Sequence, residues 1–149
     1  MKIERFEDIK AWQEARTLAK RVYEAVKSNK GFGSGYKFRE QIQSAAVSIM
    51  SNIAEGFSRR STKEFTQFLF IAKGSAAEVQ SQLYAGLDQG YINQEKFNEL
   101  YFKSDEVSRL ISGFLQYLLS REKAKPTKLN KPNQPHKPGG EERQGNVKA

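Results

Sequence analysis

Four apolar seams, each stepping by three and four positions, run through 123 residues that contain no proline. That period matches the 3.6-residue turn of an α-helix, so each seam describes one helix face. The first is Trp12, Ala15, Ala19, Val22, Val26. The second is Phe38, Ile42, Ala45, Ile49, and it continues into the small or polar Asn52 and Gly56. The third is Phe65, Leu69, Ala72, Ala76, Val79, Leu83. The fourth is Phe97, Leu100, Ser104, Val107, Ile111, Phe114, Leu118. No segment alternates apolar and polar residues with period two over a useful length, so the chain predicts no strand.

The residues between seams fit helix ends. Asn29 to Gly35 holds three glycines and links the first two helices. Ser61-Thr62-Lys63-Glu64 reads as a capping box, with the Ser hydroxyl accepting from the N3 amide while Glu64 reaches back. Gly90 follows the third seam as a stop, and Asn93 suits the N-cap of the fourth helix. Helices of roughly 20 to 28 residues are about 30 to 40 Å long. Short links between them make antiparallel neighbours, so residues 1–123 predict an all-α, up-down four-helix bundle.

The rest of the chain differs in kind. All four prolines, Pro126, Pro132, Pro135 and Pro138, lie behind Ala124. Residues 124–149 carry six cations and two anions, which is half of the net charge of +8. Leu129 and Val147 are the only large aliphatics there, too little apolar surface to offset the entropy of ordering the segment. It reads as a disordered basic C-terminal tail. The first residues lack the apolar stretch of a secretory signal, and the longest apolar run, Phe68 to Ala72, is far short of the ~20 residues that span a bilayer. A cytoplasmic protein without a membrane segment is the expectation.

Catalytic chemistry finds little to work with. Absence of Cys excludes disulfides, thiolate zinc sites and thiol nucleophiles. The only histidine, His136, lies in the tail, so the body offers no histidine base and no Ser-His-Asp triad. Di-metal bundles use Glu-x-x-His pairs on facing helices. Glu55 and Glu78 sit in helical segments, but no Glu-x-x-His occurs, and no metal is expected. Gly31-Phe32-Gly33-Ser34-Gly35 lacks the Gly-Lys-Ser/Thr ending of a phosphate loop and follows a helix, so it reads as a turn. No enzyme and no cofactor is expected.

Two basic clusters remain. Arg59, Arg60 and Lys63 surround the turn between the second and third helices. Arg16, Lys20, Arg21 and Lys27 lie on the first, with Arg16 and Lys20 one turn apart on one face. They suit phosphate contacts, or they are ordinary solvated surface diluted by Glu14 and Glu24. No zinc-finger, RNA-recognition or KH signature is present, and the helices are too long for a helix-turn-helix. Apolar residues also lie outside the seams: Phe68, Phe70 and Ile71 on the third helix, Ala46, Met50, Ile53 and Phe57 on the second, Phe102 and Tyr117 on the fourth. They read either as wide core stripes or as faces for self-association. Gly74 and Gly86 each cost about 1 kcal/mol against Ala in a helix interior, so Gly74-Ser75-Ala76-Ala77 marks a close approach, within the bundle or to another subunit.

The run Gln41 to Gly56, ending Asn52-Ile53-Ala54-Glu55-Gly56, closely resembles bacterial four-helix-bundle proteins named for open reading frames in 23S rRNA intervening sequences. Phe6 to Ala15 ahead of it, Lys63-Glu64-Phe65 through Ile71-Ala72-Lys73-Gly74-Ser75, Glu78 and Gly90-Tyr91 extend the likeness from about Phe6 to Leu119. Asn52, Glu55, Gly56, Gly74, Ser75 and Glu78 match motif positions. The resemblance implies an antiparallel bundle that assembles as a homopentamer. It also implies kinship with accessory proteins of diversity-generating retroelements, which bind a reverse transcriptase and nucleic acid. RNA or DNA, a reverse transcriptase and further copies of the chain are thus the expected partners. In two places the chain departs from the pattern. Gln43-Ser44 stands where arginines usually follow the Gln-Ile pair, and Gly31 to Gly35 replaces the usual Pro and Glu near the first turn.

Overall fold

The computed structural model describes residues 2–28, 31 and 35–124. A single 3-10 turn, Phe6–Asp8, precedes four helices: α1 (Lys10–Ser28), α2 (Tyr36–Ser58), α3 (Thr62–Asp88) and α4 (Gln94–Ala124). No strand occurs among the described residues. The glycine-rich link falls largely outside them, as do residues 125–149 and the reading of a disordered tail.

Each helix packs on two others: α1 on α2 and α4, α3 on α2 and α4. The pairings run antiparallel. Along α2 and α3, Phe38 lies against Gly86, Ser48 against Ser75, and Gly56 against Phe65 and Phe68. Along α3 and α4, Tyr84 meets Phe97 and Tyr101, the Ala76 carbonyl meets Ser104, and Phe65 meets Phe114. One index falls as the other rises, which is the signature of an up-down bundle.

Periodicity explains the core. Ile42, Ala45, Ile49, Leu69, Ala72, Ala76, Val79, Leu83, Leu100, Ser104, Val107 and Ile111 are all buried. On α1 the buried stripe is Ala11, Ala15, Leu18, Ala19, Val22 and Ala25, so Trp12 and Val26 flank the core rather than fill it. Ala46 and Ile53 belong to the interior, while Phe70, Ile71, Phe102 and Tyr117 stay exposed. The reading as a wide core stripe therefore holds for Ala46 and Ile53 of α2, while the extra apolar residues of α3 and α4 stay on the surface. Aromatic rings close the bundle at either end, Phe57–Phe65–Phe114 at one and Tyr84–Phe97–Tyr101 at the other.

The helix ends follow local chemistry. Ser61 Oγ accepts from the Glu64 amide at 3.2 Å and donates to the Glu64 carboxylate at 3.0 Å. Glu64 thus reaches back to the hydroxyl rather than to the backbone amide. Asn93 Oδ1 accepts from the Lys96 amide at 2.8 Å and starts α4. Gly90, at φ +72°, sits in the left-handed region that ends a helix cleanly, and the Tyr91 amide then donates to the Gly86 carbonyl at 2.8 Å.

Gly56 is a point of close approach between α2 and α3. A Cβ there would lie 2.6 Å from Phe68 Cβ and 2.8 Å from Phe65 Cδ2, whereas one on Gly74 would meet nothing within 4 Å. Gly56→Ala is therefore expected to destabilise the fold by about 1–3 kcal/mol. Gly74→Ala, on the open face of α3, should stabilise the isolated chain by up to about 1 kcal/mol. Urea unfolding checks the pair: the two midpoints should move in opposite directions.

Candidate nucleic-acid interface

The seven cations singled out by sequence do not form one patch. α1 runs antiparallel to α2, so Arg59, Arg60 and Lys63 lie at the end of the bundle where α1 begins, and Lys27 lies at the other. Within α1, Arg16, Lys20 and Lys27 fall on the face opposite Leu18 and Val22, pointing to solvent. Arg21 stands two turns on from Glu14 and so on the flank facing α4.

Ion pairing separates the cations further. Arg59 pairs with Glu55 at 3.0 Å and lies over the Phe68 ring, 4.9 Å from its centroid. The other six have no carboxylate in ion-pair range among the described residues. Arg16 and Lys20 instead line an open cleft of about 580 Å³ on the outer face of α1, with Trp12, Tyr23 and Met50 of α2. The Arg16 guanidinium stands 5.9 Å from the Trp12 ring centroid. Next to it, Tyr23, Glu40, Gln43, Ser44 and Glu78 line a second depression. Gln43 and Ser44, which replace the expected arginines, thus sit beside two carboxylates.

Glu14 is held at the α4 interface by a residue that the sequence patterns do not flag. Lys103 is only 8% exposed. Its ammonium lies between Glu14 of α1 and Glu106, at 3.0 Å from the latter, and Glu14 also receives Lys10 at 2.9 Å. Burial pulls the Lys103 ammonium down, but its hydrogen bonds to Glu14 and Glu106 outweigh that and hold it above its ordinary value. Hydrogen bonds from Lys103 and then Lys10 hold the Glu14 carboxyl below its ordinary value. One carboxylate of α1 is thereby spent on the α4 interface. A usable signal existed: Lys103 is three residues from Leu100 and beside Ser104, on the inward face of its helix.

The motif residues divide between packing and surface. Asn52 Nδ2 donates to the Ser48 carbonyl at 2.8 Å and to Ser48 Oγ at 3.0 Å, and Ser48 Oγ meets Ser75 Oγ at 3.1 Å. Asn52 and Ser75 therefore belong to one polar bridge between α2 and α3, with Gly56 setting their distance. Glu55, Gly74 and Glu78 are exposed. Among the described residues no group of three His, Cys, Asp or Glu side chains could hold a metal ion, and no helix is long and apolar enough to cross a membrane.

The profile of the 23S rRNA-intervening sequence protein family matches residues 7–113. The chain is also similar to a crystal structure of a protein of unknown function from the S23 ribosomal protein family of Bacteroides thetaiotaomicron. The two are 23% identical, the match covers 71% of this chain and 98% of that chain, and the TM-score is 0.64. At that identity the likeness establishes a common fold. No curated protein matches the chain.

Charge balance at the α1–α4 interface sets a pH window. With its pKa lowered, Glu14 contributes stability above its unfolded value of 4.5 and loses it as pH falls through the folded value. With its pKa raised, Lys103 contributes below 10.5 and loses stability as pH rises through the folded value. Lys103→Ala should cost about 2–3 kcal/mol at neutral pH, since it leaves Glu14 facing a desolvated gap. Urea midpoints measured from pH 3 to 11 should fall at both ends for the native protein. For the variant both falls should be shallower.

Proposed function

The chain belongs to the 23S rRNA-intervening sequence protein family, and on that footing we propose a non-enzymatic cytoplasmic bundle. It binds RNA or DNA, or a nucleic-acid enzyme such as a reverse transcriptase, through phosphate-contacting basic surfaces. The observation that carries this reading is the outer face of α1. There Arg16, Lys20 and Lys27 have no carboxylate in ion-pair range among the described residues, while Glu14 is drawn inward by Lys103. Arg60 and Lys63 at the α2–α3 turn add a second contact region, and residues 124–149 contribute +4 of sequence charge. Such contacts are made to the backbone and carry no base code.

Counterion release makes the reading testable. Fluorescence anisotropy of labelled RNA and DNA, titrated from 50 to 300 mM salt, should show log affinity falling linearly with log salt concentration. Arg16→Gln with Lys20→Gln should reduce the slope by about two, roughly one for each phosphate no longer neutralised. Absence of binding at the lowest salt overturns the reading.

A second reading, self-assembly, is supported by α3. Phe70 is 57% exposed and Ile71 52% exposed, and both lie beside Gly74 and Ala77, where a neighbouring helix meets little obstruction. The resemblance suggests five copies. Light scattering should then give a mass near five times 17.0 kDa, and Ile71→Glu should return it to that of one chain. A native mass of one chain rejects assembly.

A further inference from the structure

We propose that the outer cleft of α1 is a stacking site for unpaired bases of single-stranded RNA or DNA. Trp12 and Tyr23 are the platforms, and Arg16 and Lys20 hold the flanking phosphates. The proposal rests on the nucleic-acid reading above and narrows it to one place and one form of the polymer.

Three observations converge. The first is composition of the cleft: two aromatic rings and two cations line the same open space of about 580 Å³. Trp12, Arg16, Lys20 and Tyr23 follow one another at about one turn each, so the site extends roughly 16 Å along the helix. The second is the state of the indole. Phe6 meets it edge-on, with ring centroids 5.1 Å apart and planes at 63°, which fixes its orientation. Arg16 stands 5.9 Å from its centroid, near the outer limit for a cation over a ring, and can turn toward a phosphate. Tyr23 is exposed.

The third observation is charge, which favours a short anionic strand. Neither Arg16 nor Lys20 is paired with a carboxylate among the described residues. Beside Tyr23, toward α2 and α3, the surface turns acidic. Glu40 and Glu78 line the adjoining depression and receive only neutral donors, Tyr36 at 2.8 Å and Gln82 at 3.2 Å. Phosphates are therefore attracted along Arg16 and Lys20 and repelled on the side of Glu40 and Glu78. An apolar peptide would leave both cations unused. Duplex interiors are excluded by the rings themselves, because a base stacked on both sides has no face to offer. Base–aromatic stacking tolerates any sequence, which suits a site without a hydrogen-bonding edge reader.

Trp12 is the only tryptophan in the chain, so its fluorescence reports this cleft alone. The full chain should be titrated with oligo-dT, oligo-U and a closed dumbbell duplex, with tryptophan emission and anisotropy of labelled nucleic acid read together. The expected result is saturable quenching by single strands, in step with their anisotropy, and little quenching by the dumbbell. Tyr23→Ala, at an exposed position, should weaken single-strand binding about tenfold and leave dumbbell binding unchanged. Equal quenching by dT and U supports recognition of the chemistry they share, and a preference supports the site while naming its polymer. Single-strand binding without quenching, or equal weakening for strand and dumbbell in Tyr23→Ala, overturns the cleft but leaves phosphate binding standing. Absence of anisotropy change with every nucleic acid at low salt overturns both.

Discussion

Everything in this bundle hangs on how closely α2 and α3 approach. Gly56, Ser48, Ser75 and Gly86 are small residues that lie in this contact. At its two ends Phe65 and Phe68 lie over Gly56, and Phe38 lies over Gly86. A small-residue seam gives many short dispersion contacts but buries little apolar area per residue. The hydroxyl–amide bridge of Ser48, Ser75 and Asn52 adds direction to it. With this pair fixed, the other two helices have only one wide trough left to fill.

α1 fills its side of that trough with alanines, and its charges are sorted by the fit. Lys103 is buried against α1 and must be satisfied there, because an unpaired ammonium in that setting costs several kcal/mol. Glu14 and Glu106 meet the need. On the opposite side of α1 stand Arg16 and Lys20, with the exposed Glu24 one turn on from Lys20. Interior pairing and exterior charge are thus sorted onto different faces of one helix, which net charge alone conceals.

Much of the architecture is legible in the chain. Seams of period 3.6, Ser61 and Asn93 as caps, and Gly90 as a stop are local signals, and each matches the geometry observed. Less legible is anything set by partners across helices. Trp12 falls in the first seam, yet the stripe that turns inward passes through Ala11 and Leu18. Periodicity fixes a face only to within about one residue, and alanine-rich helices leave the choice to their neighbours. Ala46 and Ile53 versus Phe70 and Ile71 are likewise indistinguishable by hydropathy. Their difference depends on which flank of each helix meets a neighbour. The basic residues can be identified but not sorted, because pairing depends on Glu14, whose role is decided by a lysine 89 positions away.

That separation has an entropic meaning. α2, α3 and α4 are joined by turns of a few residues, so contacts beside those turns close short loops at small entropic cost. The seam between α1 and α4 is different, since its two sides come together only after most of the chain has been gathered. Closing it therefore costs more chain entropy than a contact beside a turn, and the pair of Lys103 with Glu14 helps hold it shut. α1 is also held by α2, so the cations it carries keep their place only while both seams are closed.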